Sequence, residues 1–274
     1  MPLPHAETLV MDTLYVIGGL LFVSLSVLLI FVNTILLFVL CRYEEFSTCT
    51  YRITKNMCFS SMIQLVVFLI GGIMTLSGTT FHNTFEKICG AVLCSTFLVY
   101  FGLSATLAFD RLLIFLSFSL TVNHSASLAL LALTWIFGLA YFVTTLTPDY
   151  NFLYANHFKF LGWNYNLNSF SLRLAEFELY YDFITLGVSL TFYVIIVIVL
   201  FRGRNSSSAL TTWQAELRVL VVAVSTFLYE LFLVLCGFFG SGFISQYPFL
   251  PVLFTVIWIV DCGFFAIVTL LINT

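Results

Sequence analysis

The charged residues of this 274-residue chain stand far apart, and the uncharged stretches between them are long enough to cross a lipid bilayer. Residues 13–41, 56–85, 88–109 and 183–201 contain no Asp, Glu, Lys or Arg. A transmembrane helix needs about 20 apolar residues, and a charge at the bilayer centre is costly. The chain is 61% hydrophobic and 8% charged, which is more apolar than a water-soluble domain of this size. The sequence therefore predicts a multi-pass membrane protein and excludes a water-soluble enzyme or a nucleic-acid-binding protein.

Three further spans complete a seven-helix pattern. Residues 112–148 hold a short polar loop and one helix. The last third reads as two helices despite Glu230 and Asp261, because turn residues around Gly240 and Pro248 separate them. No strand alternation of the outer-membrane barrel type is present. The prediction is one all-α seven-transmembrane domain, residues 1–274, whose helices cover residues 13–41, 53–77, 88–112, 125–147, 179–202, 215–240 and 249–272.

The distribution of Lys and Arg among the loops predicts the orientation of the bundle. Basic residues mark the cytoplasmic side of a membrane protein. The first, third and fifth loops contain Arg42, Arg52, Lys55, Arg111, Arg202, Arg204 and Arg218. The other loops contain Lys87, Lys159 and Arg173. The N-terminus is therefore expected outside and the C-terminus inside.

An acid and an arginine stand side by side at the inner end of the third helix, in Leu107-Ala108-Phe109-Asp110-Arg111-Leu112. A guanidinium group at a membrane boundary needs a carboxylate or carbonyl partner, so one interpretation is an interfacial pair without a switching role. The segment also resembles the Asp/Glu-Arg-aromatic motif of rhodopsin-like receptors. That resemblance implies that Asp110 holds Arg111 at rest and that Arg111 turns to a G protein on activation.

Other segments extend the resemblance. Asn33-Thr34-Ile35-Leu36 is similar to the helix-1 segment of rhodopsin-like receptors, which implies a structural role for Asn33 in bonding toward helices 2 and 7. The pattern as a whole resembles nematode serpentine chemosensory receptors of class T or class X. The segments that carry this likeness are Tyr51-Arg52-Ile53-Thr54-Lys55-Asn56, Ile63-Gln64-Leu65, Trp163-Asn164-Tyr165 and Gly263 to Asn273.

The chain also departs from the rhodopsin-like pattern. Helix 2 has no aspartate, and its polar groups there are Ser60, Ser61 and Gln64. Helices 5 and 6 contain no proline, so the family kinks are absent or made differently. Helix 7 has no Asn-Pro-x-x-Tyr segment; the nearest match, Phe265 to Thr269, lacks both the proline and the tyrosine. The family's activation mechanism therefore does not carry over residue by residue.

Two acids lie halfway along predicted helices. Glu230 in helix 6 and Asp261 in helix 7 are expected at similar depth, because the two helices run antiparallel as neighbours. A carboxyl group there must be protonated, paired or ion-bound. Three interpretations stay open: contact with a cationic ligand group, a sodium-like ion site, or two neutral acids that bond neighbouring helices.

The long connection between helices 4 and 5 is rich in aromatic residues. Amphipathic rings belong at membrane interfaces, which accounts for most of them. A second interpretation is a lid over a pocket between helices 3, 5, 6 and 7, suited to a small apolar or amphipathic ligand. Tyr180, Asp182 and Trp258 are the expected wall residues of that pocket.

Together these features predict a rhodopsin-like chemosensory receptor of the plasma membrane. Its expected partners are an extracellular small molecule, a heterotrimeric G protein and membrane lipids. No nucleic acid, enzymatic activity, cofactor or metal site is predicted. The alternative is an ion channel or transporter that uses Glu230 and Asp261 as a proton or cation path.

Overall fold

The computed structural model describes residues 4–43, 48–116, 120–154, 161–203, 210–240, 247 and 249–273. Within these residues, seven helices are long and apolar enough to cross a membrane. They are α1 (Pro4–Arg42), α2 (Cys49–Ser77), α3 (Asn83–Phe115), α4 (Leu120–Leu146), α5 (Ser169–Gly203), α6 (Leu210–Phe239) and α7 (Leu250–Asn273). The all-α, seven-helix prediction is confirmed. Lys159, Arg204 and the expected turn after Gly240 lie outside the described residues.

Six of the seven helices begin earlier than the sequence predicts, α1 and α5 by the most. Helix α1 begins at Pro4 instead of 13, α3 at Asn83 instead of 88, and α5 at Ser169 instead of 179. The stretches without charged residues mark where each apolar run begins, whereas the helical hydrogen bonds of the backbone continue into the polar region. At the start of α3 the His82 side chain accepts a 3.1 Å hydrogen bond from the Thr84 backbone N–H, which caps the helix.

Helix α3 is the central helix of the bundle. Its most apolar 18-residue window is 83% buried, compared with 22% for the corresponding window of α4. It packs against α2, α4 and α5 and also contacts α6, while α1 packs on α2 and α7, and α7 packs on α6. The outer helices expose large apolar side chains such as Phe31 and Ile136, as expected of surfaces that face lipid.

The connection between α4 and α5 forms a small sheet that the sequence did not predict. Strand β1 (Phe152–Leu153) pairs antiparallel with β2 (Asn164–Tyr165), with Phe152 opposite Tyr165. We call this side of the bundle the hairpin end and the opposite side the Arg111 end. A Cβ atom on Gly90 of α3 would stand 1.9 Å from the Phe152 carbonyl oxygen. Glycine at position 90 therefore lets the hairpin lie against α3.

Side chains beside this sheet fill the hairpin end of the bundle. We call Phe152, Tyr154, Leu161 and Trp163 the plug; all four are at most 5% exposed. The Tyr154 hydroxyl bonds Thr75 Oγ1 of α2 at 2.6 Å, and its backbone N–H donates to Glu86 Oε1 of α3 at 2.7 Å. The Thr255 hydroxyl of α7 donates to the Leu161 carbonyl at 2.9 Å. The plug is therefore hydrogen-bonded to three helices, α2, α3 and α7.

Candidate functional site

At the Arg111 end, Asp110 is held by hydroxyl groups from two neighbouring helices. Asp110 and Arg111 are both buried near the end of α3. Ser127 Oγ of α4 donates to Asp110 Oδ1 at 2.8 Å, and Thr50 Oγ1 of α2 donates to Oδ2. Hydrogen bonds to an ionised carboxylate are among the stronger bonds in proteins. Asp110 thus links α2, α3 and α4, and no pattern in the sequence points to Thr50 or Ser127 as its partners.

A line of polar contacts connects α1, α7, α2 and α3. Asn33 Nδ2 donates to the Cys262 carbonyl of α7 at 3.2 Å and to the Leu29 carbonyl at 2.9 Å. Cys262 Sγ donates to Gln64 Oε1 of α2 at 3.5 Å, and Gln64 Nε2 donates to the Thr96 carbonyl of α3 at 3.3 Å. Asn33 therefore contacts helix 7, and the group as a whole stabilises the packing of four helices.

Three carboxyl groups from three different helices lie in the interior of the bundle. We call Asp182 of α5, Glu230 of α6 and Asp261 of α7 the interior carboxyl row; they are 0%, 1% and 2% exposed. Asp182 interacts electrostatically with Glu230, and Glu230 with Asp261. The sequence predicted the depth of Glu230 and Asp261 and the inward placement of Asp182.

Most oxygen atoms of this row lack a hydrogen-bond partner. Ser104 Oγ of α3 donates to Glu230 Oε2 at 3.1 Å. Among the described residues, no group bonds either oxygen of Asp182, Oε1 of Glu230 or Oδ1 of Asp261. Buried polar atoms are usually satisfied, so four unsatisfied carboxyl oxygens in one region indicate a missing donor. The described residues contain no cluster of three His, Cys, Asp or Glu side chains able to hold one metal ion.

Two aromatic side chains with polar atoms accompany the row. Tyr100 of α3 is 1% exposed, and its hydroxyl has no hydrogen-bond partner in the described part of the chain. It interacts electrostatically with Asp261 and Glu230. Trp258, one turn before Asp261 on α7, packs its ring against Phe97 at 5.0 Å and Phe68 at 5.4 Å between centroids. Tyr100 was not predicted, although a phenol within an apolar span normally needs a partner.

The expectation for Tyr180 is wrong. Tyr180 is 67% exposed, whereas Glu178 and Asp182 on either side of it in sequence are buried. Residues two positions apart lie nearly opposite each other on an α-helix, so Tyr180 faces away from the bundle when its neighbours face inward. Tyr180 is therefore not a wall residue of an interior pocket.

A further buried acid, Glu178, lies one turn from Asp182, and one of its carboxyl oxygens accepts three hydrogen bonds. Glu178 Oε2 accepts hydrogen bonds from the Tyr165 hydroxyl, from Cys94 Sγ at 3.3 Å and from the Tyr141 hydroxyl at 3.4 Å. Burial raises the pKa of the Tyr165 phenol well above its usual value, so this group keeps its proton and donates it. We call these four residues the Glu178 cluster. It joins the hairpin to α3, α4 and α5.

A separate groove of about 580 Å³ lies between α3, α4 and α5. Small and apolar side chains line most of it, with a few hydroxyl groups. Its lining residues are Gly102, Ala105, Thr106, Phe109, Ala126, Ala129, Leu130, Thr134, Tyr181, Thr185, Val188 and Phe192. None of the residues predicted to form the functional site is among them.

The seven helices have the arrangement of the rhodopsin fold. The fold of this chain matches that of 312 chains in solved structures. One of them, a crystal structure of squid rhodopsin, superposes with a TM-score of 0.76 over 94% of this chain and 81% of the rhodopsin chain, at 13% sequence identity. No family model matches the sequence, and no curated protein matches it either. The rhodopsin fold is thus shown by structure alone.

Proposed function

We propose that this chain is a G-protein-coupled chemosensory receptor of the nematode serpentine type, in the plasma membrane. Its N-terminus and hairpin end face outward, and its Arg111 end faces the cytoplasm. An extracellular small molecule binds at the interior carboxyl row beside Trp258, and the Arg111 end acts on a heterotrimeric G protein. The observation that carries the proposal is the position of Asp110 and Arg111, buried at the end of the central helix of a rhodopsin fold.

Ligand binding is coupled to the Arg111 end through packed side chains. Tyr193 of α5 is 4% exposed and interacts electrostatically with Glu230 and with Arg111. Its ring packs on Phe227 of α6 at 6.0 Å between centroids. A change in the charge near Glu230 therefore alters the surroundings of Tyr193, and through it those of Arg111. Activation separates Asp110 from Ser127 and Thr50 and frees the end of α3.

The test measures basal guanine-nucleotide exchange on a panel of heterotrimeric G proteins, with the full chain in nanodiscs. Ser127→Ala removes one donor from Asp110, so we expect basal exchange to rise about threefold to tenfold. Adding Arg111→Ala to that variant is expected to abolish the exchange. The matched control is Ser125→Ala on the same helix, because Ser125 is exposed. Exchange that is absent in every variant, or equal in all of them, would contradict the proposal.

A cation channel or transporter is the second candidate function. The observation that favours it is the row itself, since intramembrane acids commonly mark proton or ion pathways. This candidate predicts a ligand-independent current in planar bilayers that Glu230→Gln abolishes. The receptor proposal predicts no such current in either form of the protein.

A further inference from the structure

The described residues supply few hydrogen-bond donors to the interior carboxyl row. Asp182, Glu230 and Asp261 come from three helices and are almost fully buried. If all three acids were protonated, each would need an acceptor for its own proton. The carboxyl oxygens that have no hydrogen-bond partner would still lack donors. The row therefore lacks hydrogen-bond donors whether its acids are charged or neutral.

The three carboxyl groups are spread out and do not surround one point. They interact electrostatically in sequence, Asp182 with Glu230 and Glu230 with Asp261, yet the described residues form no group that could coordinate a metal ion together. Glu230 lies nine residues before the end of α6 and Asp261 eleven residues after the start of α7. At 1.5 Å per residue, both lie about 15 Å from the hairpin end. The row thus lacks hydrogen-bond donors at more than one place and at similar depth.

A second, independent observation points to a ligand. The Tyr100 hydroxyl is buried without a partner and interacts electrostatically with both Asp261 and Glu230. Phe97 lies one turn before Tyr100 on α3; its ring is 4.7 Å from the Phe101 ring and also contacts the Trp258 ring. The row therefore combines acids at separate points with aromatic rings packed around Trp258, one turn from Asp261. An aliphatic chain with a cationic group at each end has the complementary chemistry.

We propose that the interior carboxyl row binds a small aliphatic diamine, with one ammonium group between Asp182 and Glu230 and the other beside Asp261 and Tyr100. The inference rests on the proposed receptor function and names its ligand class. Each primary ammonium group carries three N–H donors, so two of them supply donors to the four carboxyl oxygens that lack one. The methylene chain lies against Phe97 and Trp258, where apolar contact and cation–π attraction favour it.

The experiment measures binding to the full chain in nanodiscs, by calorimetry and by thermal unfolding, without a G protein. The probes are 1,5-diaminopentane, n-pentylamine, which has the same length and one charge, and sodium chloride. We expect the diamine to bind at least about tenfold more tightly than the monoamine, because losing one charged contact weakens binding by that factor or more. Equal binding of the two amines, or stabilisation by sodium that the diamine does not displace, would overturn the proposal.

Near-isosteric variants test each end of the site. Asp182→Asn, Glu230→Gln and Asp261→Asn are each expected to lower the affinity for 1,5-diaminopentane about tenfold and to bring it close to that for n-pentylamine. Glu176→Gln is the matched control, since Glu176 is exposed on α5, and its affinity is expected to stay unchanged. The three variants act independently, so the loss of one to misfolding leaves two tests. Undiminished diamine affinity in the folded row variants would exclude the site.

The outcomes separate this inference from the proposed function. Nucleotide exchange that rises in Ser127→Ala without any diamine binding would exclude the diamine site and support the receptor proposal. Diamine binding that depends on the row, together with no exchange on any G protein, would leave the site standing and contradict the receptor proposal.

Discussion

Glu178 and Asp182 stand one turn apart on the same face of α5, both buried, and their surroundings are opposite. Glu178 receives hydrogen bonds from Tyr165, Cys94 and Tyr141. Asp182 receives none on either oxygen from any described residue. A buried acid that accepts several hydrogen bonds stabilises the fold, whereas a buried acid without donors lowers the stability and is retained for another reason. The comparison separates a structural carboxyl group from one that is available to a ligand.

The same contrast appears at larger scale between the two ends of the bundle and its middle. Asp110 at the Arg111 end and Glu86 near the hairpin end both bond to partners on neighbouring elements. The interior carboxyl row lies between them with four unpartnered oxygen atoms. The acids near the two ends of the bundle are therefore hydrogen-bonded, whereas most carboxyl oxygens of the row remain open to binding.

The largest expected effect comes from removing the carboxyl group of Glu178, the hydrogen-bonded member of the pair Glu178 and Asp182. Glu178→Ala leaves three buried donors without their acceptor, so we expect the free energy of unfolding to fall by about 3 kcal/mol. Asp182→Asn is the control one turn away, and its stability is expected to stay unchanged or to rise by up to about 1 kcal/mol. Denaturant titration of the purified protein in micelles measures both. A larger loss in Asp182→Asn than in Glu178→Ala would invalidate the contrast.

Two buried tyrosines extend the comparison of hydrogen-bonded and unbonded groups, with a smaller effect on the free energy of unfolding. The Tyr154 hydroxyl bonds Thr75, whereas the Tyr100 hydroxyl lacks a partner in the described part of the chain. Tyr154→Phe should therefore lower the free energy of unfolding by about 1 kcal/mol, while Tyr100→Phe should change it by less than about 0.5 kcal/mol. The same denaturant titration compares the two variants without ligand. Equal losses in both would mean that Tyr100 has a bonding partner after all.

The sequence was sufficient for the helices and for the depth of two acids, because a charge inside a long apolar run is easy to recognise. It did not reveal the Glu178 cluster, since Cys94, Tyr141 and Tyr165 come from three separate parts of the chain and meet only after folding. The plug was missed for the same reason: β1 and β2 are two residues long, and their pairing depends on contacts with α2, α3 and α7.

The error at Tyr180 has a specific physical cause. The predicted start of helix 5, at residue 179, left Glu178 outside the helix, so the inward face of this segment could not be recognised. Once α5 begins at Ser169, Glu178 and Asp182 share a face and Tyr180 lies on the opposite side. A shift in a helix boundary therefore changed which side chains were assigned to the site.

The smallest expected effect is a dependence of stability on alkaline pH, which separates buried tyrosines from exposed ones. Burial raises the pKa of the Tyr154 phenol above its usual value, so the folded protein keeps a proton that the unfolded chain releases above about pH 10. The unfolded state then binds fewer protons, and stability contributed by Tyr154 is present below about pH 10 and is lost as the pH rises further. Tyr154→Phe should therefore reduce the fall in unfolding free energy between about pH 9 and pH 11, measured by denaturant titration at each pH. Tyr180→Phe is the control, because Tyr180 is 67% exposed, and its pH profile should match that of the unmodified protein. Identical profiles in all three proteins would show that the Tyr154 phenol is not buried in the folded protein.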